Sequence, residues 1–162
     1  YESTVPGPDP KFPFSLIMNL IPKKIENGTI PSIDNIVEYG KYMITIAGCI
    51  DCHTPMEKGK YDMEKAYAGN QEFILPTGIV RSSNITPDKT TGIGNWTEEQ
   101  FKRALTQGRS KGQENGRMLL PPMPWFNYVN MKDEDVRAVY TYLKSINPVE
   151  NVVPAPVGPD QM

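Results

Sequence analysis

The stretch AGCIDCHTP, Ala47 to Pro55, holds both cysteines of the 162-residue chain and its only histidine, all within the five positions Cys49 to His53. Upstream of it, Ile33, Ile36, Val37, Ile44 and Ala47 recur at helical spacing after Ser32. That spacing predicts a helix from Ile33 to Ala47, N-capped by Ser32 and delivering the chain to Cys49. Gly40 falls inside this helix at a propensity cost of about 1 kcal/mol. Either a close helix crossing or a tolerated surface glycine accounts for it.

Downstream, WTEEQF opens a second helix. Thr97 and Gln100 have the spacing of a capping box, and Glu98 and Glu99 suit the positive end of the helix. Phe101, Ala104 and Leu105 face inward, and Gly108 ends the helix in the left-handed conformation. A third helix, Asp133 to Ile146, carries Val136, Val139, Tyr140, Leu143 and Ile146 on one face, and Pro148 stops it. The segments 54–96 and 108–128 read as loops, with a short strand pair near Phe73 to Ser82. Loops this long are unusual in a compact domain and are expected where they wrap another group.

Composition fits a single domain with much irregular backbone: hydrophobic residues make up 38%, with 16 prolines and 13 glycines. A bound cofactor would supply missing apolar core. The chain carries 17 basic and 19 acidic residues without a run of like charge, which argues against a nucleic-acid arm or a polybasic membrane patch. FSLIMNLI, Phe14 to Ile21, is far shorter than the roughly 20 apolar residues a membrane span needs. The start at Tyr1 allows for a secretory leader or anchor removed ahead of it. The expected organisation is an N-terminal proline-rich extension (1–32), a central domain (33–148) and a C-terminal proline-rich tail (149–162). Each arm reads as extended chain, either lying on the domain or loose in solvent.

C-x-x-C-H is the attachment signature of c-type haem. Two thiols three residues apart at a helix end can add to two vinyl groups on one porphyrin edge, while the adjacent imidazole reaches the iron. A thioredoxin-like dithiol would start a helix after a strand, in a βαβ setting absent from this sequence. A structural zinc site needs four nitrogen or sulfur ligands, against three candidates here. Cys49 and Cys52 are therefore read as haem anchors and His53 as the axial ligand. With no second histidine, the sixth ligand is a methionine, a lysine, a terminal amine or nothing. Position along the chain leaves Met118 and Met123 of GRMLLPPMPW, and the prolines around Met123 favour it by stiffening its backbone.

The runs NITPDKTTGIGNWTEEQF (84–101), PPMPW (121–125) and DEDVRAVYTYLKSI (133–146) resemble class I c-type cytochromes, in particular the cytochrome subunits and domains of bacterial membrane-linked dehydrogenases. The resemblance spans roughly Val37 to Pro148. It implies an all-α cytochrome c fold of three to five helices around one covalently bound haem c. The first and last helices would cross at Gly40, against the region of Tyr140 and Leu143. The methionine of the M-P-W stretch, Met123, would be the sixth ligand. Relatives usually cap the last helix with threonine; here Lys132 stands there, and Asp133 is expected to cap one residue later. Arg81, Asn84, Trp96 and Arg117 fall near the propionate edge, and Trp125 and Tyr128 are expected beside Met123.

The implied function is one-electron transfer by a non-catalytic carrier or subunit in a respiratory or dehydrogenase-linked chain. The alternative is a haem enzyme or gas binder with an open sixth site. The implied partners are redox proteins (a dehydrogenase, an oxidase or another cytochrome) and not nucleic acid, with membrane association through a segment outside this chain. Lys41, Lys58, Lys60, Lys89, Lys102 and Lys111 form a candidate docking ring or an ordinary solvated face. Haem attachment of this kind takes place outside the bacterial cytoplasmic membrane, which implies a periplasmic location.

Overall fold

Two helices, α1 (Ile36–Ile46) and α4 (Asp133–Ser145), cross where α1 has no side chain. A Cβ at Gly40 would collide with the carbonyl oxygen of Ala138 and with Tyr142 Cβ, so the helices touch backbone to backbone there. The close-crossing reading of Gly40 is therefore the observed one. The partners, Ala138 and Tyr142, lie in the expected region around Tyr140 and Leu143. Around the crossing Ile44, Tyr67, Ile93, Phe101, Val136, Val139 and Leu143 form the buried core.

The computed structural model describes residues 11–12 and 29–161. The chain divides into two units, 1–30 and 31–162, and every described secondary-structure element lies in the second. The apolar stretch Phe14 to Ile21 and most of the N-terminal proline-rich extension fall outside the described residues.

The first helix starts three residues later than its periodicity predicts. Ser32 Oγ accepts from Asp34 N (3.3 Å) and donates to Asp34 Oδ2 (2.9 Å), while Asn35 N donates to Ser32 O (3.0 Å). This local turn competes with the helix, as short polar side chains do. Asn35 takes the cap position, and Ile33 is exposed and does not join the apolar face. At the other end Gly48, with φ 64°, links α1 to α2 (Cys49–His53), a bend that a Cβ would disfavour.

Helix α3 (Glu98–Gln107) has both capping-box bonds, Gln100 N to Thr97 Oγ1 (3.2 Å) and Thr97 N to Gln100 Oε1 (2.9 Å), and ends at left-handed Gly108. Helix α4 has no side-chain cap: Lys132 occupies the cap position, and Asp133, expected to cap, is the first helical residue and binds Lys102 Nζ at 2.8 Å.

Among the described residues the fold has four α-helices and two antiparallel hairpins, so it is mostly helical and not all-α. In β1 (Met56–Glu57) and β2 (Lys60–Tyr61), a segment expected to be loop turns tightly through Lys58 and Gly59, both at positive φ. β3 (Glu72–Leu75) and β4 (Gly78–Arg81) form the pair expected near Phe73 to Ser82. The C-terminal arm lies along the domain: Val157 and Ile79 exchange backbone hydrogen bonds of 2.9 and 2.8 Å. Among the described residues no helix is long and apolar enough to cross a membrane.

Candidate functional site

The motif residues occupy α2. Cys49 and Cys52 are unpaired thiols, Cys49 packed against the core and Cys52 exposed. Burial pushes the Cys49 thiol up to about 11, with the neighbouring Cys52 adding to it.

His53 Nδ1 lies 2.7 Å from the carbonyl oxygen of Ser83. A carbonyl only accepts, so Nδ1 carries the proton and Nε2 is the bare nitrogen, the tautomer a metal ligand requires. The ring is half-buried, and desolvation lowers its pKa below the ordinary value against the opposing pull of the Ser83 carbonyl. A neutral imidazole is thereby favoured. Ser83 was not legible as a functional residue because it acts through its backbone. The helix reaches the rest of the domain through His53 O, which accepts from Gly69 N (2.7 Å), and through buried Thr54, whose Oγ1 accepts from Tyr67 N (3.2 Å). Gly69, at φ 75°, has no room for a Cβ against the Ser83–Asn84 peptide.

The segment carrying Met118 and Met123 is pinned to the end of α3. Leu119 N donates to Gly108 O (2.7 Å), and Met118 pairs with Arg109 in an isolated antiparallel bridge. The Trp125 indole lies over Gly108, leaving no space for a Cβ there. Trp125 thus anchors the loop two residues after Met123. Met118 is exposed at 40%, whereas Met123 is half-buried. Burial raises the pKa of the half-buried Tyr128 phenol, with Cys49 and Cys52 adding to the shift.

Between Gln113 and Lys132 no residue is buried, although the segment includes Met118, Leu119, Leu120, Met123, Trp125, Phe126 and Val129. A loop this apolar with so little protein packed on it fits a flat apolar partner. Unpaired thiols, a neutral imidazole with an oriented tautomer and this apolar loop together fit a haem.

The other expected contacts separate. Arg81 Nη2 binds Glu72 Oε2 across the hairpin at 2.5 Å. Asn84 is buried; its Nδ2 donates to Thr91 Oγ1 (3.0 Å) and Val149 O (2.8 Å), and its Oδ1 accepts from Thr86 N (2.9 Å) and Thr86 Oγ1 (2.8 Å). Its amide is saturated by protein and has no donor left for a propionate. Trp96 packs on the core, its carbonyl accepting from Tyr140 Oη (2.7 Å). Arg117 donates to Met118 O (2.9 Å) on an exposed loop. Of the candidate docking lysines, Lys102 is paired with Asp133. Among the described residues no cluster of three or more His, Cys, Asp or Glu side chains is placed to hold a metal ion.

Comparison with known proteins points the same way. A family model described as cytochrome c matches residues 37–147. The cytochrome c subunit of gluconate 2-dehydrogenase from Pantoea cypripedii is 38% identical over 109 residues, covering 67% of this chain and 23% of that protein. The cytochrome c subunit of alcohol dehydrogenase (quinone) from Gluconobacter oxydans is 36% identical over 115 residues, covering 70% and 22%. The fructose dehydrogenase cytochrome subunit of Gluconobacter japonicus is 38% identical, with coverage of 70% and 22%. The chain spans less than a quarter of the length of these relatives.

Proposed function

The chain belongs to the cytochrome c family, and on that premise we propose that it is a one-electron carrier holding a single haem c. Cys49 and Cys52 would form the thioether tethers, and His53 through Nε2 and Met123 through its sulfur would hold the iron. A haem so held supplies a ferric/ferrous couple, and a thioether ligand raises its potential relative to two imidazoles. The chain's own part is orientation and exclusion. The Ser83 carbonyl fixes the His53 tautomer and makes Nε2 a better donor. Pro121, Pro122 and Pro124 stiffen the backbone on both sides of Met123, and Trp125 ties the loop to α3. An iron held by both His53 and Met123 would have no open position for dioxygen or peroxide.

Among the propionate candidates, Arg81 and Trp96 remain proposed donors. Arg81 has five N–H groups and gives Glu72 a contact through one nitrogen. Asn84 is assigned to the scaffold instead. The proposed carrier works outside the cytoplasmic membrane, where c-type haem is attached, and exchanges electrons with redox proteins; a dehydrogenase among them is supported by relatives that are cytochrome subunits of dehydrogenases.

The observation that carries this reading is the 2.7 Å contact from His53 Nδ1 to Ser83 O on a helix that also bears two free thiols. Absorption spectroscopy of the purified holoprotein tests it. The expected result is a covalent, low-spin haem whose oxidised form shows a sulfur-to-iron charge-transfer band, lost in Met123→Ala and kept in Met118→Ala. High-spin iron, or rapid carbon monoxide binding by the reduced native protein, would establish the open-site alternative. Haem released by acid extraction of denatured protein would refute the tether.

A further inference from the structure

We propose that residues 149–151 of the C-terminal arm act as a positioning strap for His53, fixing through Asn84 the Ser83 carbonyl that orients the imidazole. The proposal rests on His53 being an axial ligand. It does not follow from family membership, because these residues lie beyond the matched stretch 37–147.

A backbone carbonyl sits where its neighbours put it. On the N-terminal side, Ser82 is held by Asn70 N to Ser82 O (2.8 Å), Ser82 N to Gln71 O (3.0 Å) and Gln71 N to Ser82 Oγ (3.0 Å). On the C-terminal side the anchor is Asn84, only 4% exposed, and half of its donor capacity goes to the strap through Val149 O at 2.8 Å. Its other donor goes to Thr91 Oγ1 at 3.0 Å, and that hydroxyl also accepts from Asn151 N at 3.0 Å. Thr91 Oγ1 donates in turn to Asp88 Oδ1 at 2.7 Å, so the hydroxyl uses its one proton and both acceptor positions. A saturated network of this kind, part-buried around the buried Asn84 side chain, favours one arrangement and resists displacement.

A second route reaches the same residue. Asn151 Nδ2 donates to Ala68 O at 2.9 Å, and the next residue, Gly69, donates its N–H to His53 O at 2.7 Å. The strap therefore bears on His53 from its ring nitrogen and from its backbone. Partners of a ligating imidazole's second nitrogen set its basicity, and their loss typically changes metal affinity 10- to 100-fold. A looser Nδ1–H···O bond makes Nε2 a poorer donor, and the ferric state loses more than the ferrous state does.

The test uses the full-length holoprotein, a chain ending at Pro148, and the pair Thr91→Val and Thr91→Ser. The readouts are the reduction potential and the exchange rate of the His53 Nδ1 proton by NMR, neither of which a general loss of stability moves in a defined direction. Thr91→Val keeps the volume and removes the hydroxyl shared by Asn84 and Asn151, while Thr91→Ser keeps the hydroxyl. We expect the truncated chain and Thr91→Val to exchange this proton at least about tenfold faster. Their potentials should rise by up to about 59 mV, the equivalent of tenfold in a one-electron equilibrium. Thr91→Ser should restore both. Should the truncated chain not fold, the Thr91 pair decides alone. Unchanged potential and exchange in Thr91→Val, or equal shifts in Thr91→Val and Thr91→Ser, overturn the strap. An unmutated protein without covalent low-spin haem overturns the functional reading on which it rests.

Discussion

Replacing Gly40 with alanine tests the helix crossing on which the domain is built. The added Cβ meets the Ala138 carbonyl oxygen and Tyr142 Cβ, and the first of these is backbone. No rotamer change relieves it, so α1 and α4 must separate or slide. Overpacking of this kind costs about 1–3 kcal/mol, and a backbone obstacle belongs at the upper end. Alanine returns about 1 kcal/mol of helix propensity, since Gly40 lies inside α1. The net expectation is a loss of about 2 kcal/mol, or about 4–8 °C in Tm for a chain of this size.

Thermal and denaturant unfolding of the holoprotein measure the loss, with an unchanged m value confirming that native stability is what moved. A sharper consequence follows from the identity of the obstacle. Because a backbone oxygen blocks the methyl group, Ala138→Gly in the Gly40→Ala background should not restore stability. If Gly40→Ala is as stable as the parent, or gains the full propensity term, the helices do not meet at this residue and the reasoning fails. Rescue by Ala138→Gly would show that a side chain is the obstacle.

Two further outcomes follow from local chemistry. Thr97→Ala removes the acceptor for Gln100 N at the start of α3 and should cost about 1 kcal/mol by denaturant midpoint, with Thr97→Ser close to the parent; equal midpoints for all three would show that the capping box does not stabilise this helix. Burial, then the neighbouring Tyr142, push the Tyr67 phenol up to about 12, above the ordinary value near 10. The unfolded chain thus loses this proton first, so the contribution is complete below about pH 10 and fades as pH rises from about 10 to about 12. Tyr67→Phe should flatten the decline of stability over that window, and an unaltered slope would contradict the assignment.

Local chemistry was legible where it had no rival. The capping box of α3 and the end of that helix at Gly108 depend on residues within one turn, and both stand where the sequence places them. Apolar period alone was less reliable. Ser32 followed by Ile33 has the form of a cap and a first core position, but Ser32 and Asp34 satisfy each other in a turn and postpone α1 to Ile36. Asp133 failed as a cap for a different reason. Its carboxylate is engaged by Lys102 from another helix, a tertiary contact that no local pattern announces.

The site divides along the same line. Cys49, Cys52 and His53 fall within five positions, so spacing alone proposes them, whereas the group that hydrogen-bonds the His53 ring is the carbonyl of Ser83, 30 residues away. A carbonyl has no sequence signature. Asn84 draws notice in the sequence as a side-chain donor, but its amide is spent inside the protein. Its partners are Thr91, Thr86 and a C-terminal arm that composition left undecided between packed and loose. The long loops were the most informative negative feature. An apolar fraction of 38% and loops of unusual length suggested that part of the core comes from elsewhere. The structure gives that suggestion an address in 113–132, where Met118, Leu120, Phe126 and Val129 remain exposed while the α1/α4 crossing is fully packed. Another apolar body lying on the loop would complete this division, and the thiols and imidazole of α2 fit a haem in that place.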